Sequence, residues 1–414
     1  MRILQFALMA LCSANVVASK TFIVCLGGWK SSDGIGWTKL VNKINQEKGY
    51  DIVAHNEKFS DKNRKDNTII SFDIPIETSS VDINRQAEVL EESLVKMGLE
   101  KDDNIILIGL SQAGLRSWAF LNKYNSKYNV RAIFTAGTPW KGANALNSAD
   151  EADIWKDEIE EAVLDVIDSI PLVGLITRFL DIFHFRRGMD YFTDKIINKI
   201  AYENFAHDEG SKLMRPLKEG GIEKNEFLKN VHSAKSFEGG KKTYFGAFVG
   251  TNSDIFDTWL IDHEEIIGGI ADMLEDMEAI ADMLYKPFSW LPFTPERSSL
   301  AINIERLWTI LQQESINVGW NGLITENRLD DGHDTLVPLY DQRIHPDVLD
   351  SIIGVRGEYI DGGEQEAHIY VDAGHTVLAD ENLSSEKILY SHPEVLEGMS
   401  EWIFKVLDEI EEEE

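Results

Sequence analysis

The sequence predicts an α/β fold: a mostly parallel central sheet with helices on both faces, carrying helical cap insertions. Three observations point to it. Over residues 21–142, short apolar runs alternate with helical patterns, the βαβ rhythm of a parallel sheet. The runs are apolar throughout rather than at every second position, as in strands covered on both faces. Two long stretches without strand pattern, about 144–240 and 256–313, then separate this part from a later strand–helix region.

The elements follow in order. Residues 21–26 form the first continuous apolar run, broken by Gly27-Gly28-Trp29, and 37–44 reads as a helix. Short strands are predicted at 51–55, 68–72 and 104–110, with an amphipathic helix at 80–97 opening on Ser-Val-Asp. A helix over 111–122 and a buried strand over 130–136 complete the first part. In the first insertion Trp155, Ile159, Val163, Ile167 and Ile170 recur at helical spacing, and a strand returns at 242–249. In the second, Ile266, Ile270, Met273, Met277, Ile280 and Leu284 form one stripe opposite an acidic face. An aromatic loop with Phe288, Trp290 and Phe293 follows. A strand at 367–372 and a helix at 395–410 close the pattern, leaving 411–414 as a solvated acidic tail.

Domain organisation follows from this. Residues 1–18 read as a signal peptide, 19–143 as the first part of the core and 144–240 as a helical cap insertion. Residues 241–251 give a core strand, 252–328 a second insertion, and 329–410 the rest of the core. The leader rests on Arg2, an apolar segment over 3–11 and small residues ending at Ala18. That segment is too short to span a bilayer. A lipoprotein reading at Cys12 meets bulky Leu11 where a small residue is wanted. The expectation is a secreted or extracytoplasmic protein, in which Cys25 remains as a lone buried strand thiol.

Of 414 residues, 71 are acidic and 40 basic, a net charge of −31. A field of that sign opposes nucleic acid and anionic bilayers, so nucleic acid is excluded as the main partner.

The chemistry concentrates at Gly109-Leu110-Ser111-Gln112-Ala113-Gly114, between a buried strand and a helix. A serine on such a bend has its hydroxyl lifted above the sheet and the helix's positive end beside it. A serine that only caps the helix is the plainer alternative. A nucleophilic serine needs a base and a carboxylate to orient it. Among ten histidines, His375 stands just past a predicted strand on a glycine turn, while His368 lies within that strand and reads as structural. Asp334 directly precedes the short, strand-like apolar run 335–338 and gives the order serine–acid–histidine. Asp330, Asp331 and Asp254 are rival acids. His333 among carboxylates suggests a metal only weakly, since no second histidine stands at ligand spacing. No cofactor is expected.

Three motifs carry a resemblance: Gly109-Leu-Ser111-Gln-Ala-Gly114, Ala136-Gly-Thr-Pro-Trp-Lys-Gly142, and Asp331-Gly-His-Asp334-Thr-Leu-Val-Pro338 followed by Gly374-His375. Over 21–142 and about 330–405 the chain resembles the α/β-hydrolase superfamily, and within it secreted lipases and lecithin:cholesterol-acyltransferase-like acyl hydrolases. The resemblance implies ester hydrolysis through an acyl-enzyme, with Asp334 as the triad acid. A second likeness, to palmitoyl-protein thioesterases, favours Asp254. The chain departs from the lipase pattern in Ala113, and in Gly27-Gly28-Trp29 where many lipases have His-Gly. By role, the N–H groups of Gln112 and of Gly28 or Trp29 should form the oxyanion hole. The implied partner is a lipid or acyl-ester substrate, with peripheral contact to neutral lipid surfaces. Thioester hydrolysis and a non-catalytic lipid-binding role are the alternatives. Oligomeric state is not legible.

Overall fold

The computed structural model describes residues 19–28, 37–54, 68–72, 81–143, 225–231, 243–254, 321, 332–343, 368–375 and 387–413. The leader, Trp29, most of both insertions, the aromatic loop and Asp330–Asp331 lie outside the described residues. The elements in chain order are β1 (Thr21–Leu26), α1 (Thr38–Lys48), β2 (Asp51–Ala54), β3 (Thr68–Phe72), α2 (Ile83–Met97) and β4 (Asn104–Leu110). There follow α3 (Gln112–Tyr124), β5 (Asn129–Ala136), α4 (Glu226–Val231), β6 (Tyr244–Gly250), β7 (His368–Val371) and α5 (Pro393–Glu413).

The strands form one seven-stranded sheet in the order β2-β3-β1-β4-β5-β6-β7, and every described pair is parallel. From β1 the chain passes to the edge strand β2, returns to insert β3 between β2 and β1, then crosses to lay β4 on the other side of β1 and builds outward to the far edge. The switch point therefore lies between β1 and β4, where parallel α/β sheets open a crevice at their carboxyl ends.

Alternation along the strands supplies two cores. Ile23, Cys25, Ile106, Ile108, Ala132, Phe134 and Phe248 pack on one face against α1 and α5, through Leu40, Ile44, Met399, Trp402 and Ile403. Phe22, Val24, Ile105, Leu107, Ile133 and Phe245 are equally buried and point to the other face. There α3 lies on β4 and β5 with α2 beside it. Trp402 anchors the first core, its ring 4.7 Å from Phe248 and 5.2 Å from Phe134. Full burial of an aromatic of this size contributes roughly 2–3 kcal/mol. Cys25 is fully buried, and burial pushes its thiol up, away from the reactive thiolate form. Among the described residues no helix is long and apolar enough to cross a membrane.

Three expectations are corrected. The helix expected at 80–97 starts at Ile83, because the Asp82 carboxylate accepts from the N–H groups of Asn84 and Arg85 at 2.8 and 3.4 Å and caps it there. The acidic tail expected at 411–414 is helix through Glu413. Its last carboxylate meets both Arg131 Nη1 and Nη2, at 2.6 and 2.8 Å, which gives the helix end a partner on β5. The apolar run after Asp334 is a bent loop closed by a His333–Pro338 bridge rather than a strand. Asp334 Oδ1 accepts from the N–H groups of Leu336 and Val337, at 3.1 and 2.8 Å, and curls the chain back.

Candidate active site

Ser111 stands at the switch point, between the end of β4 and the start of α3. Its backbone, φ 53° and ψ −128°, is one that a residue with a side chain rarely adopts. Three hydrogen bonds hold it there: Ser111 N–H to the Ala136 carbonyl at 2.9 Å, Gly114 N–H to the Ser111 carbonyl at 3.0 Å, and the Thr138 hydroxyl to that same carbonyl at 3.0 Å. The bend is tight enough that a Cβ on Gly109 would come within 2.6 Å of the Gly114 nitrogen. One on Gly114 would come within 2.1 Å of Thr138 Oγ1. Ala113, by contrast, is accommodated and fully buried. The glycine the bend requires after the serine is therefore Gly114, three positions on.

The first N–H groups of α3 have no carbonyl one turn back and carry the positive end of the helix dipole. Gln112 N–H belongs to this set. Gly28, at the end of β1, runs alongside: a Cβ placed on it would lie 3.1 Å from Ser111 Cβ and 3.7 Å from Ser111 Oγ. The two described positions expected to form an oxyanion hole thus flank the serine.

His375 and Asp334 come together from the last part of the chain. His375 Nδ1 lies 2.9 Å from Asp334 Oδ2, and both residues are buried, Asp334 completely. With Oδ1 engaged by the Leu336 and Val337 N–H groups, Oδ2 is left for the imidazole. A carboxylate in that place makes Nδ1 the protonated nitrogen and leaves Nε2 as the proton acceptor. The pair rests on Gly137, the residue after β5: a Cβ there would sit 2.9 Å from His375 Nδ1 and 3.1 Å from Asp334 Oδ2. Gly137 has φ 58°, so glycine answers both the fold of the chain and the contact. Since the next residue, Thr138, binds the Ser111 carbonyl, the serine and the acid–histidine pair both adjoin one two-residue segment. Among the described residues the His375 ring has no hydrogen bond to the Ser111 hydroxyl.

The carboxylate that meets His375 is Asp334; the Asp254 N–H donates to Asn252 Oδ1 at 3.0 Å. His333 binds the Thr335 N–H and the Asn321 side chain, and no group of three or more metal-ligating side chains occurs among the described residues. His368 is a buried β7 residue, held neutral as burial, and then the charges of Arg343 and Lys141, push it down to about 4.

Residues with no assigned role in the sequence reading also shape the site. Gly137 and Thr138 were visible only as part of a Gly-Thr-Pro motif. Behind the bend, Gln86 on α2 links three groups: its Nε2 donates to the Val81 carbonyl at 2.8 Å and to Gln112 Oε1 at 3.4 Å, and its Oε1 accepts from Arg116 Nε at 2.9 Å. Arg116 is buried, which pushes it down to about 10, so it stays cationic at neutral pH. An arginine in an apolar helix pattern carries no signal of this packing.

A parallel sheet with helices on both faces and a strand–serine–helix bend at its switch point defines the α/β-hydrolase fold. No family model and no curated protein matches the chain. Solved structures do. One is a Lactobacillus plantarum WCFS1 protein provisionally described as a cell surface hydrolase, with 17% identity over 30% of this chain, TM-score 0.24. The chain spans just over half of that protein, 56% of its length. Another is 2-hydroxy-6-oxo-6-phenylhexa-2,4-dienoate hydrolase of Rhodococcus sp. strain RHA1, 12% identical over 56% of this chain and 74% of that one, TM-score 0.27. A third is the Bacillus licheniformis lipase BlEst2, 14% identical over 57% and 67%, TM-score 0.23. Similarity of this degree carries no argument about chemistry, which rests on the site alone.

Proposed function

We propose that the protein is a serine hydrolase that cleaves carboxylic esters, with Ser111 as nucleophile, His375 as general base and acid, and Asp334 as the acid that orients it. The observation that carries this reading is the convergence on Gly137–Thr138. A strained serine is bound through its carbonyl by Thr138, and a buried carboxylate–imidazole pair packs against Gly137 beside it.

Ser111 Oγ attacks the ester carbonyl carbon while its proton passes to His375 Nε2. The carbonyl oxygen, now negative, takes hydrogen bonds from Gln112 N–H and Gly28 N–H, beside the positive end of α3. Collapse breaks the ester C–O bond, and the proton on Nε2 leaves with the alcohol. Water then attacks the acyl-serine, giving its proton to Nε2; collapse breaks the bond between the acyl carbon and Ser111 Oγ, Oγ takes the proton back from Nε2, and the carboxylic acid leaves. Throughout, Asp334 Oδ2 fixes the tautomer and stabilises the imidazolium. The reaction requires His375 Nε2 and Ser111 Oγ to come within hydrogen-bond reach once substrate is bound.

The finer reading is an exported enzyme acting on lipid-like acyl esters at neutral interfaces. It is supported by the leader-like segment 1–18, the net charge of −31 and the aromatic loop with Phe288, Trp290 and Phe293. The test is Ser111→Ala assayed on p-nitrophenyl butyrate, with fluorophosphonate labelling of the parent chain. Loss of turnover and of labelling, with an unchanged melting temperature, is the expected result; undiminished turnover refutes the assignment. Asp334→Asn should lower kcat by about three to four orders of magnitude while Asp254→Asn leaves it within about twofold.

A further inference from the structure

The loop that presents Asp334 holds a strained residue of its own. Thr335 has φ 75°, a region in which a β-branched side chain is an outlier. Such a conformation persists only where its surroundings dictate it, and here they do. Thr335 N–H donates to His333 Nδ1 at 2.9 Å. The Thr335 hydroxyl lies 2.9 Å from the His375 carbonyl oxygen and also against the Asp334 carbonyl. His375 N–H in turn donates to the Asp334 carbonyl.

His333 is itself fixed. Because Nδ1 accepts from Thr335, the proton must reside on Nε2, which donates to Asn321 Oδ1 at 2.5 Å. The ring is buried, and burial, opposed only in part by Asp334, pushes it down to about 4. It is therefore neutral, with the Nδ1 lone pair free to accept, across the neutral range. His333, Asp334 and Thr335 are all buried, so water cannot replace the bond if the ring is lost.

We infer that His333 is a positioning residue: its imidazole holds Thr335 in the left-handed conformation that turns Asp334 Oδ2 toward His375 Nδ1 and ties the loop to the His375 backbone. The inference rests on the proposed hydrolase reading. It differs from a histidine that merely fills space, because it makes a specific acceptor at Nδ1, rather than bulk, the requirement. It also couples positions 333 and 335, since glycine at 335 would take the same backbone without being held.

The test compares the full-length parent with His333→Asn, His333→Leu, Thr335→Gly, the His333→Leu/Thr335→Gly double variant and Ser111→Ala. Each is assayed for kcat and KM on p-nitrophenyl butyrate and for its melting temperature. His333→Leu should lower kcat by about 10–100-fold with KM within about twofold, as loss of an orienting partner does. His333→Asn, whose Oδ1 can accept from the Thr335 N–H, should recover kcat to within about fivefold. His333→Leu should also cost less in the Thr335→Gly background than in the parent. A kcat for His333→Leu within twofold of the parent, an equal loss in Asn and Leu variants, or multiplicative losses in the double variant each overturn the inference. If His333→Leu does not fold, a loss in His333→Asn greater than tenfold overturns it and a smaller loss supports it. An inactive Ser111→Ala beside an unaffected His333→Leu removes the positioning role alone; an active Ser111→Ala removes both.

Discussion

Acid should weaken this fold as the pH falls below about 6.5, through two buried histidines. Burial pushes His333 and His368 from 6.5 to about 4, partly offset by Asp334 at the first and reinforced by Arg343 and Lys141 at the second. A histidine whose folded value is depressed takes up its proton in the unfolded chain first. The unfolded state then binds more protons wherever the pH lies between about 4 and 6.5, so stability rises with pH in that window and is lost as pH falls through it. Each histidine contributes a slope of about 1.4 kcal/mol per pH unit once the pH is below 6.5. Between pH 7 and pH 5 that amounts to about 2 kcal/mol for each ring and about 4 kcal/mol for the two, a large share of the roughly 5–15 kcal/mol that holds a typical domain together. Glu88 and Glu91 are held below the ordinary carboxylate range, whereas burial raises Asp103, which works against the histidines as the pH falls. Urea unfolding followed by tryptophan fluorescence at pH 7, 6 and 5 measures the effect. His333→Asn and His368→Asn should each flatten the dependence by about half. Stability constant to within about 1 kcal/mol from pH 7 to pH 5, or a double variant with the parent's slope, would show that these rings are not held neutral by burial.

Two further substitutions probe the frame of the site and the last helix. Gly137→Ala adds a methyl 2.9 Å from His375 Nδ1 at a residue with φ 58°; the left-handed backbone alone costs about 1–2 kcal/mol, and displacement of the imidazole should lower kcat at least about a hundredfold, read from p-nitrophenyl butyrate turnover beside a thermal melt. Glu413→Gln removes the bidentate partner of Arg131, and because the glutamate side chain is 61% exposed the loss should be no more than about 1 kcal/mol, shrinking further in 0.5 M salt; a loss of several kcal/mol would mean the helix end matters more than its exposure allows.

The parts of the fold that the sequence made legible are those whose physics is local. Short uninterrupted apolar runs bounded by turn residues fit strands covered on both faces, and β1, β4, β5 and β6 stand where those runs stand. The bend at Ser111 was legible for the same reason, since an apolar strand, small residues and a helix follow one another without a gap. The acid loop was less so. Leu336, Val337 and Pro338 read as strand by composition, but the Asp334 carboxylate captures two N–H groups and curls the segment, a competition between side chain and ladder that hydropathy does not register. Residues 411–413 read as solvated charge because nothing nearby in sequence neutralises them; their partner, Arg131, is 282 positions away. His333 was open to a metal reading because its neighbours are acidic, whereas its bonds run to a backbone N–H and to Asn321, neither of which a composition argument weighs.

Why such distant residues meet at one place follows from the sheet. In a parallel sheet every strand ends at the same edge, and here successive strand ends leave backbone uncovered by side chains where the site's residues arrive. Gly28 after β1 makes room for Ser111, and Gly137 after β5 for the His375 ring and the Asp334 carboxylate. Gly250, the last residue of β6, does the same for the acid loop, since a Cβ there would come within 2.6 Å of both Asp334 Cβ and the Ala373 carbonyl. Gln342 completes the attachment: its side chain accepts from the Gly250 N–H at 3.0 Å and donates to the Gly250 and Val337 carbonyls at 3.2 and 2.9 Å. Ser111 is thus set by the strand that precedes it. Asp334 and His375 are set by strand ends to which neither belongs. Large insertions between the strands leave this arrangement intact, because the alignment of the strand ends, not the length of the connections, fixes where Ser111, Asp334 and His375 stand.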